Sequence, residues 1–306
     1  MKHQFILAQY GKKYKVYSSI DILMSATYKV LPERLKKYPL YSIKRMKDHF
    51  FDEKRKVYDF NGILIPDLPE SYLMALGTIY IDEFHIYCQY QNDYSSINLD
   101  EYDQMAEGPY CYPYDNDGNV MIEKGDTVFD AGAWIGDFSA YAICMGADSA
   151  YAFEIDSDNI TQLKKTAKLN KGIIVVEAGV GESDDTVKIQ GESNAAYIDQ
   201  NNDDHKTSAR EVRIVSLDNF VKKNRIEKVD FIKADIEGFE RNMLRGAKET
   251  LRNFAPKLSI CTYHLPDDPQ VLAKIILDAN PNYQIVQRKH KLCAWVPGRK
   301  NYLINK

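Results

Sequence analysis

The rhythm of hydrophobic and polar positions changes near residue 127, and the change divides the chain. From there on, short apolar runs alternate with stretches of helical spacing, the pattern of a sheet wound by helices. Residues 127–130 predict a strand, 137–145 a helix and 149–154 a second strand. Residues 158–169 predict the next helix, with Ile160, Leu163 and Ala167 on one face. The continuously apolar run 173–178 reads as a third strand of the kind parallel sheets bury on both faces. Segments 187–190, 197–198 and 211–215 read as inserted edge strands, after which Ser216 is placed to cap a helix with Asn219 three residues on. Residues 229–234 predict the fourth core strand. Residues 239–251 predict one amphipathic helix with Met243, Leu244, Ala247 and Leu251 inward, then 258–262 a fifth strand and 269–277 its helix. The final strands, 283–287 and 292–296, are joined by only Arg288 to Lys291, too few residues for a parallel crossover, so they predict an antiparallel hairpin.

The first 115 residues or so lack this alternation. Helices are expected over 21–30, 32–37 and 42–51, the last carrying the basic run Lys44 to Lys47 on a solvated face. A hairpin follows, since 57–60 and 63–65 flank Asn61-Gly62, a pair that tolerates positive φ at both centres of a tight turn. Beyond it come a helix-like 70–76, a tyrosine-rich stretch through Tyr94, and Glu107 to Tyr110. The expectation is an α/β protein: a doubly wound Rossmann-like sheet over 107–306, closed by an antiparallel C-terminal hairpin, with a mostly helical accessory or cap region over 1–106. Asp115 to Asn119 has the acidic spacing of a calcium loop, but its glycine falls two positions early and no glutamate closes it, so a plain turn is expected. Residues 194–210 are polar enough for a loop, and no internal repeat is present.

Composition narrows the function classes. Lys plus Arg number 40 against 44 Asp plus Glu, a net charge of −4, so the basic excess of a phosphate-backbone binder is missing and no nucleic-acid partner is expected. The cysteines, Cys88, Cys111, Cys144, Cys261 and Cys293, are odd in number and scattered, with no zinc-ligand spacing, which predicts reduced and buried thiols. The apolar patch Phe5 to Ala8 is too brief for a signal-peptide core and no stretch approaches a bilayer's thickness; a cytoplasmic location without a membrane span is expected. The 22 tyrosines suit both sugar or nucleoside sites and ordinary half-exposed packing.

The chemistry concentrates at Asp130-Ala-Gly-Ala-Trp-Ile-Gly-Asp-Phe-Ser139, preceded by an apolar strand and followed 24 positions after Asp130 by Glu154 in Ala-Phe-Glu-Ile-Asp156. This reads as a nucleoside-binding βαβ unit: a glycine turn that lets the backbone approach a ligand, and a carboxylate at the end of the second strand that accepts from ribose hydroxyls. A dinucleotide turn would carry a third glycine and bring a pyrophosphate to a helix N-terminus. Here an aspartate opens the turn, Trp134 sits inside it and Asp137 begins the helix, which disfavours phosphate and suits S-adenosylmethionine (SAM), a sulfonium nucleoside. The candidate cofactor-binding residues are Asp130, Gly132, Ala133, Gly136, Glu154, Asp156, Asp235 and Tyr110. Of these, Asp156 has the competing role of capping the next helix, and Tyr110, with neighbouring Glu107, could be a lid contact or a linker residue.

Three segments together resemble the FkbM family of SAM-dependent methyltransferases. They are Val128 to Ser139 with Tyr151 to Asp156; Ser216-Leu-Asp-Asn-Phe220 before Val229-Asp-Phe-Ile-Lys-Ala-Asp-Ile-Glu-Gly-Phe-Glu240 and Met243-Leu-Arg-Gly-Ala247; and Pro256-Lys-Leu-Ser-Ile-Cys-Thr-Tyr-His264. Trp134 stands where an asparagine is expected. The resemblance covers residues 107–297 and implies O-methylation of a hydroxyl on a sugar, glycan or related natural product, with a small-molecule or glycan acceptor. Methyl transfer needs acceptor oxygen, methyl carbon and sulfur in line, and an alcohol must lose its proton as it attacks. The candidate bases are Glu237, His264 and Asp235, with Glu237 or His264 nearer the acceptor and Asp235 nearer the cofactor. Asp235 and Glu237 share a side only if the strand stays extended that far. Lys233 has the competing role of packing its stem at the sheet margin with its amine on a carboxylate. Asp235, Glu237 and Asp267 could offer oxygen ligands to a divalent ion, but no spacing demands one and no metal is expected. Two other readings stand beside the methyltransferase: a nicotinamide-dependent oxidoreductase, which would want a third glycine and an all-parallel sheet, and a non-catalytic binding protein that keeps the fold. The sequence leaves the acceptor and the oligomeric state open.

Overall fold

The computed structural model describes residues 47, 50–69, 71–73, 76, 110–111, 120–190, 197–198, 210–288 and 290–299. The chain falls into two compact units, 1–108 and 109–306. The helices expected at 21–30 and 32–37, the tyrosine-rich stretch, Glu107, the turn at 115–119 and most of the 194–210 loop lie outside the described residues.

In the first unit the described residues form a three-stranded antiparallel sheet, β1 (Phe51–Asp52), β2 (Val57–Phe60) and β3 (Ile63–Pro66), in that order. The Asn61-Gly62 hairpin forms as expected: Phe60 pairs with Ile63, and both turn residues have positive φ, 57° and 102°. Asp59 accepts from the Gly62 amide and fastens the turn. Phe51 departs from the expected helix, pairing with Tyr58 in register and packing its ring on the Tyr58 ring.

The second unit is built on a seven-stranded sheet. Its strands are β4 (Thr127–Ala131), β5 (Ser149–Glu154), β6 (Ile173–Glu177), β11 (Phe231–Ala234), β12 (Lys257–Cys261), β13 (Gln284–Gln287) and β14 (Lys291–Trp295), in the spatial order β13-β14-β12-β11-β4-β5-β6. The pairs from β12 through β6 are parallel. β14 runs antiparallel to both β12 and β13, so the expected hairpin exists and its second arm is inserted within the sheet. The apolar run 173–178 does form a strand, but β6 is the sheet's edge: only Val176 in it is buried and Ile174 is 41% exposed. An apolar run does not by itself distinguish an edge from a centre. The three segments expected as edge strands form β8 (Asp185–Gln190), β9 (Tyr197–Ile198) and β10 (Arg210–Val215), which with β7 (Gly179–Val180), not expected from sequence, make a separate four-stranded sheet in the order β7-β10-β8-β9.

Helices α1 (Asp137–Cys144), α2 (Ser157–Leu169), α3 (Leu217–Asn224), α4 (Glu240–Arg245), α5 (Lys248–Phe254) and α6 (Asp268–Ala279) wrap this sheet. Successive residues of β5 serve opposite faces: Ala152 packs with Leu163 of α2, while Phe153 joins the larger core with Phe129, Phe220, Leu244 and Leu272. Phe220 of α3 meets Phe129, Tyr151 and Phe153 edge-on, the geometry aromatic quadrupoles prefer. Ser216 caps α3, accepting from the Asn219 amide, as its position suggested.

The single helix expected over 239–251 is two. A Cβ on Gly246 would lie 2.0 Å from the carbonyl oxygen of Gly181, so the backbones there touch and only glycine fits. The interruption is stabilised from α3: Asp218 donates its amide to the Gly246 carbonyl, and its carboxylate accepts from the amides of Glu249 and Thr250 at the start of α5.

Candidate active site

The chain runs outward from β4 through β5 to β6, then returns to the other side of β4 for β11 and β12. The carboxyl ends of β4 and β11 therefore bracket the point where strand order reverses, the crevice in which open α/β sheets hold ligands. Asp130 lies near the end of β4 and the glycine turn follows it, Glu154 ends β5 with Asp156 just beyond, Asp235 and Glu237 follow β11, and His264 follows β12.

The glycine turn after β4 has Gly132 at φ 74°, Trp134 at 47° and Gly136 at 84°. Both glycines are required by the protein's own packing: a Cβ on Gly132 would stand 1.8 Å from the Asp235 carbonyl oxygen, and one on Gly136 2.6 Å from Leu163. The amides of the turn are also engaged. Gly132 and Ala133 donate to the Phe153 carbonyl, Trp134 to Glu154 at 2.8 Å and Gly136 to Ala133. These amides are thus unavailable for a pyrophosphate cradle.

Glu154, at the end of β5, accepts from the amides of Trp134, Ile155 and Asp156 at 2.7–2.8 Å. Burial raises its pKa above the usual carboxylate value, and the three amides work in the opposite direction. Asp156 is the N-cap of α2, accepting from Asp158 and Asn159. Asp130 is fully buried; one oxygen accepts from Ser139 at 2.6 Å and the other lies 3.1 Å from the Lys233 ammonium. Lys233 also donates to the Gly132 carbonyl at 2.5 Å, which fixes the turn to β11. Burial opposes the charge on Lys233, but Asp130, Asp235 and Asp137 overcome it and push the pKa above the normal lysine value. Burial also pushes Asp137, in the first turn of α1, up to about 7, with Lys233 working against the shift and Asp130 adding to it.

Asp235 is the centre of the β11 end. Tyr110 donates to one of its oxygens at 2.7 Å and Tyr263 to the other at 2.8 Å. The Tyr110 ring receives the ammonium groups of Lys233 at 4.9 Å and Lys291 at 4.1 Å and packs edge-on against Phe138. Burial alone would raise the Asp235 pKa; Lys233, the two tyrosine hydroxyls and Lys291 reverse that and hold it below the usual value. Tyr110, read from sequence as either a lid contact or a linker residue, is buried and hydrogen-bonded to this carboxylate.

Strand β11 ends at Ala234, and Glu237 takes a left-handed φ of 54°, so Asp235 and Glu237 are not related by extended-strand alternation. His264, three residues past β12, nevertheless brings the carboxylates together. Its Nε2 lies 3.2 Å from Glu237 and 3.9 Å from Asp235, and its Nδ1 lies 3.2 Å from Glu240. These are ion-pair distances without the alignment of hydrogen bonds. Burial works against an imidazolium, but Glu237 and Glu240, with Asp235 beyond, push the pKa up to about 10. Glu237 is 55% exposed in its side chain, whereas Glu240 is buried, with Oε1 accepting from the Ile236 amide. Asp267, considered above as a ligand, is instead paired with Arg241 at 2.6 Å. Sequence reasoning passed over Glu240 and Tyr263. A signal for Glu240 existed: it lies three and four positions before the inward Met243 and Leu244, which puts a carboxylate on an apolar helical stripe.

A doubly wound sheet with one antiparallel strand inserted beside β12, and carboxylates at the switch point, defines the architecture of the Rossmann-like methyltransferases. The chain belongs to the FkbM methyltransferase family: the family's Methyltransferase FkbM domain matches residues 130–285. The hexuronic acid methyltransferase AglP of Haloferax volcanii is 24% identical over 169 residues, which make up 54% of this chain and 67% of AglP. Among solved structures, the methyltransferase FkbM of Methylobacillus flagellatus is similar at 21% identity and a TM-score of 0.49, over 84% of this chain and 58% of that one. The fibrillarin of Aeropyrum pernix, solved with S-adenosyl-L-methionine, is similar at 14% identity and a TM-score of 0.35, over 57% of this chain and 68% of that one. The chain thus spans less than two thirds of the Methylobacillus protein.

Proposed function

We propose that this chain is a SAM-dependent O-methyltransferase whose acceptor is a sugar, glycan or related hydroxyl compound. The observation that carries the reading is the FkbM family match across the segment that holds Glu154, Asp235, Glu237 and His264. The likeness to a hexuronic acid methyltransferase supports a carbohydrate acceptor. The donor set suits the cofactor: acidic side chains ring the crevice, and the engaged turn amides suit an uncharged ribose and a cationic sulfonium better than a diphosphate. When bound, SAM supplies an electrophilic methyl group on a positively charged sulfur.

The chain's residues then divide the remaining work. Glu154 takes the ribose hydroxyls, its carboxylate oriented by three backbone amides. The glycine turn shapes the crevice, with Asp130 and Lys233 locking it to β11. Asp235, held ionised by Tyr110 and Tyr263, faces the cofactor's cationic end. Glu237, the most exposed carboxylate around His264, is the one an acceptor can reach, and it receives the hydroxyl proton. His264 holds Glu237 in place from the buried side.

The test is incorporation of labelled methyl from SAM into free and nucleotide-activated hexuronic acids and neutral sugars, with calorimetric titration of SAM, S-adenosylhomocysteine and NAD. Heat with the first two and label in a sugar support the proposal. Heat with NAD alone, or none with any of the three, refutes it.

A further inference from the structure

We infer that Asp235, Glu240 and His264 form a binding site for one divalent cation, of the intermediate hardness of Mn2+ or Zn2+, at the carboxyl ends of β11 and β12. One ligand atom from each residue lies within 4.8 Å of the other two. At bond lengths near 2.1 Å, ligands of a tetrahedral ion stand about 3.4 Å apart and opposite ligands about 4.2 Å, so closure requires side-chain adjustments of up to about 1.4 Å.

Two adjoining features point to a missing partner. Glu240 has a side chain only 1% exposed, and its Oε2 is buried with no hydrogen-bond donor among the described residues. A buried carboxylate oxygen in that state is costly. Both nitrogens of His264 are likewise buried atoms that make no hydrogen bond, although carboxylates stand 3.2 Å from each. A single ion would take the free Glu240 oxygen and one of the two imidazole nitrogens, the other nitrogen keeping its carboxylate neighbour. Two carboxylates and one imidazole suit Mn2+ or Zn2+ better than Mg2+ or Ca2+, which favour all-oxygen sets.

The surroundings are those of a supported ligand. Tyr110 and Tyr263 each donate to a different oxygen of Asp235, and the Ile236 amide holds Glu240. Such outer contacts orient first ligands and tune affinity. Glu237, beside His264 and exposed, lies on the solvent side, where a hydroxyl acceptor would complete the coordination. The inference rests on this geometry and does not require the methyltransferase reading.

The experiment is calorimetric titration of the chelator-treated full chain with MnCl2 and with ZnCl2, with bound metal counted by mass spectrometry after gel filtration. One ion per chain is expected, with at least tenfold weaker binding in Glu240→Gln, His264→Ala and Tyr263→Phe. Tyr263 is 46% exposed, so Tyr263→Phe tests the site without disturbing the buried core. Absence of stoichiometric uptake, or uptake unchanged in all three variants, overturns the inference and leaves a protonated His264 as the cation between these carboxylates. SAM titration of the same chelated sample separates this failure from failure of the methyltransferase reading.

Discussion

Gly132 makes the coupling between the glycine turn after β4 and the end of β11 measurable. Substituting alanine puts a side chain at φ 74°, a left-handed conformation that costs an L-residue about 1–2 kcal/mol. The new Cβ would also stand 1.8 Å from the Asp235 carbonyl oxygen, so the two backbones must part by about 1.5 Å to reach ordinary contact. Overpacking of this kind costs about 1–3 kcal/mol, and the 3.1 Å bond from the Asp235 amide to the Ala131 carbonyl, worth about 1 kcal/mol, lies in the path of the movement. Together these terms predict a loss of about 3–6 kcal/mol, a fall in melting temperature on the order of 10 °C for a unit of this size. Gly125→Ala is the control: its φ is 88°, but the nearest atom to its new Cβ is 3.8 Å away, so it carries the backbone term alone. Thermal unfolding of wild type and both variants under one buffer decides the matter. A Gly132→Ala protein that melts no lower than Gly125→Ala would refute the argument.

Other outcomes follow from the site. Glu154→Ala is expected to weaken SAM binding by at least tenfold in calorimetry, since it removes the ribose acceptor and leaves three amides without theirs. Glu237→Gln should keep SAM affinity within about twofold while turnover falls by roughly 10²–10⁴, the usual worth of a general base, in a labelled-methyl assay; wild-type turnover would remove Glu237 from that role. Asp137, raised from 3.8 to about 7 by burial, takes up a proton on folding; its contribution is complete below pH 3.8 and is lost as pH rises through about 7. Asp137→Asn should therefore match wild type near pH 4 and become more stable by about 1–3 kcal/mol at pH 8, read from melts across that range.

The elements legible in the sequence were those fixed by local chemistry. Asn61-Gly62 specified its own turn, and the short link between β13 and β14, three residues long, admitted only a hairpin. The capping function of Ser216 could likewise be read directly. What escaped notice depends on partners far along the chain. The break between α4 and α5 comes from Gly246 touching Gly181, and an apolar periodicity running through both helices conceals it. The edge position of β6 depends on which strands lie beside it, not on its own valines and isoleucines. In the site, residue types at strand ends pointed to Glu154, Asp235 and His264, yet the glycines' immediate neighbours and the engagement of Asp130 by Lys233 appear only once β4 and β11 are adjacent. Glu240 was hidden because a glutamate early in a helix ordinarily reads as a solvated favourable charge.

The placement of β14 has a consequence for assembly. The latest strand in chain order occupies an interior lane, flanked by β12 and β13. Until residues 291–295 are available, β12 presents a bare hydrogen-bonding margin next to the histidine-bearing loop, and β13 has no ladder to join. A nascent chain that has already formed the crevice between β4 and β11 would still carry an adhesive border, open to pairing with another copy during synthesis. β14 therefore joins the sheet after both strands it lies between, and its arrival closes the margin beside the histidine-bearing loop.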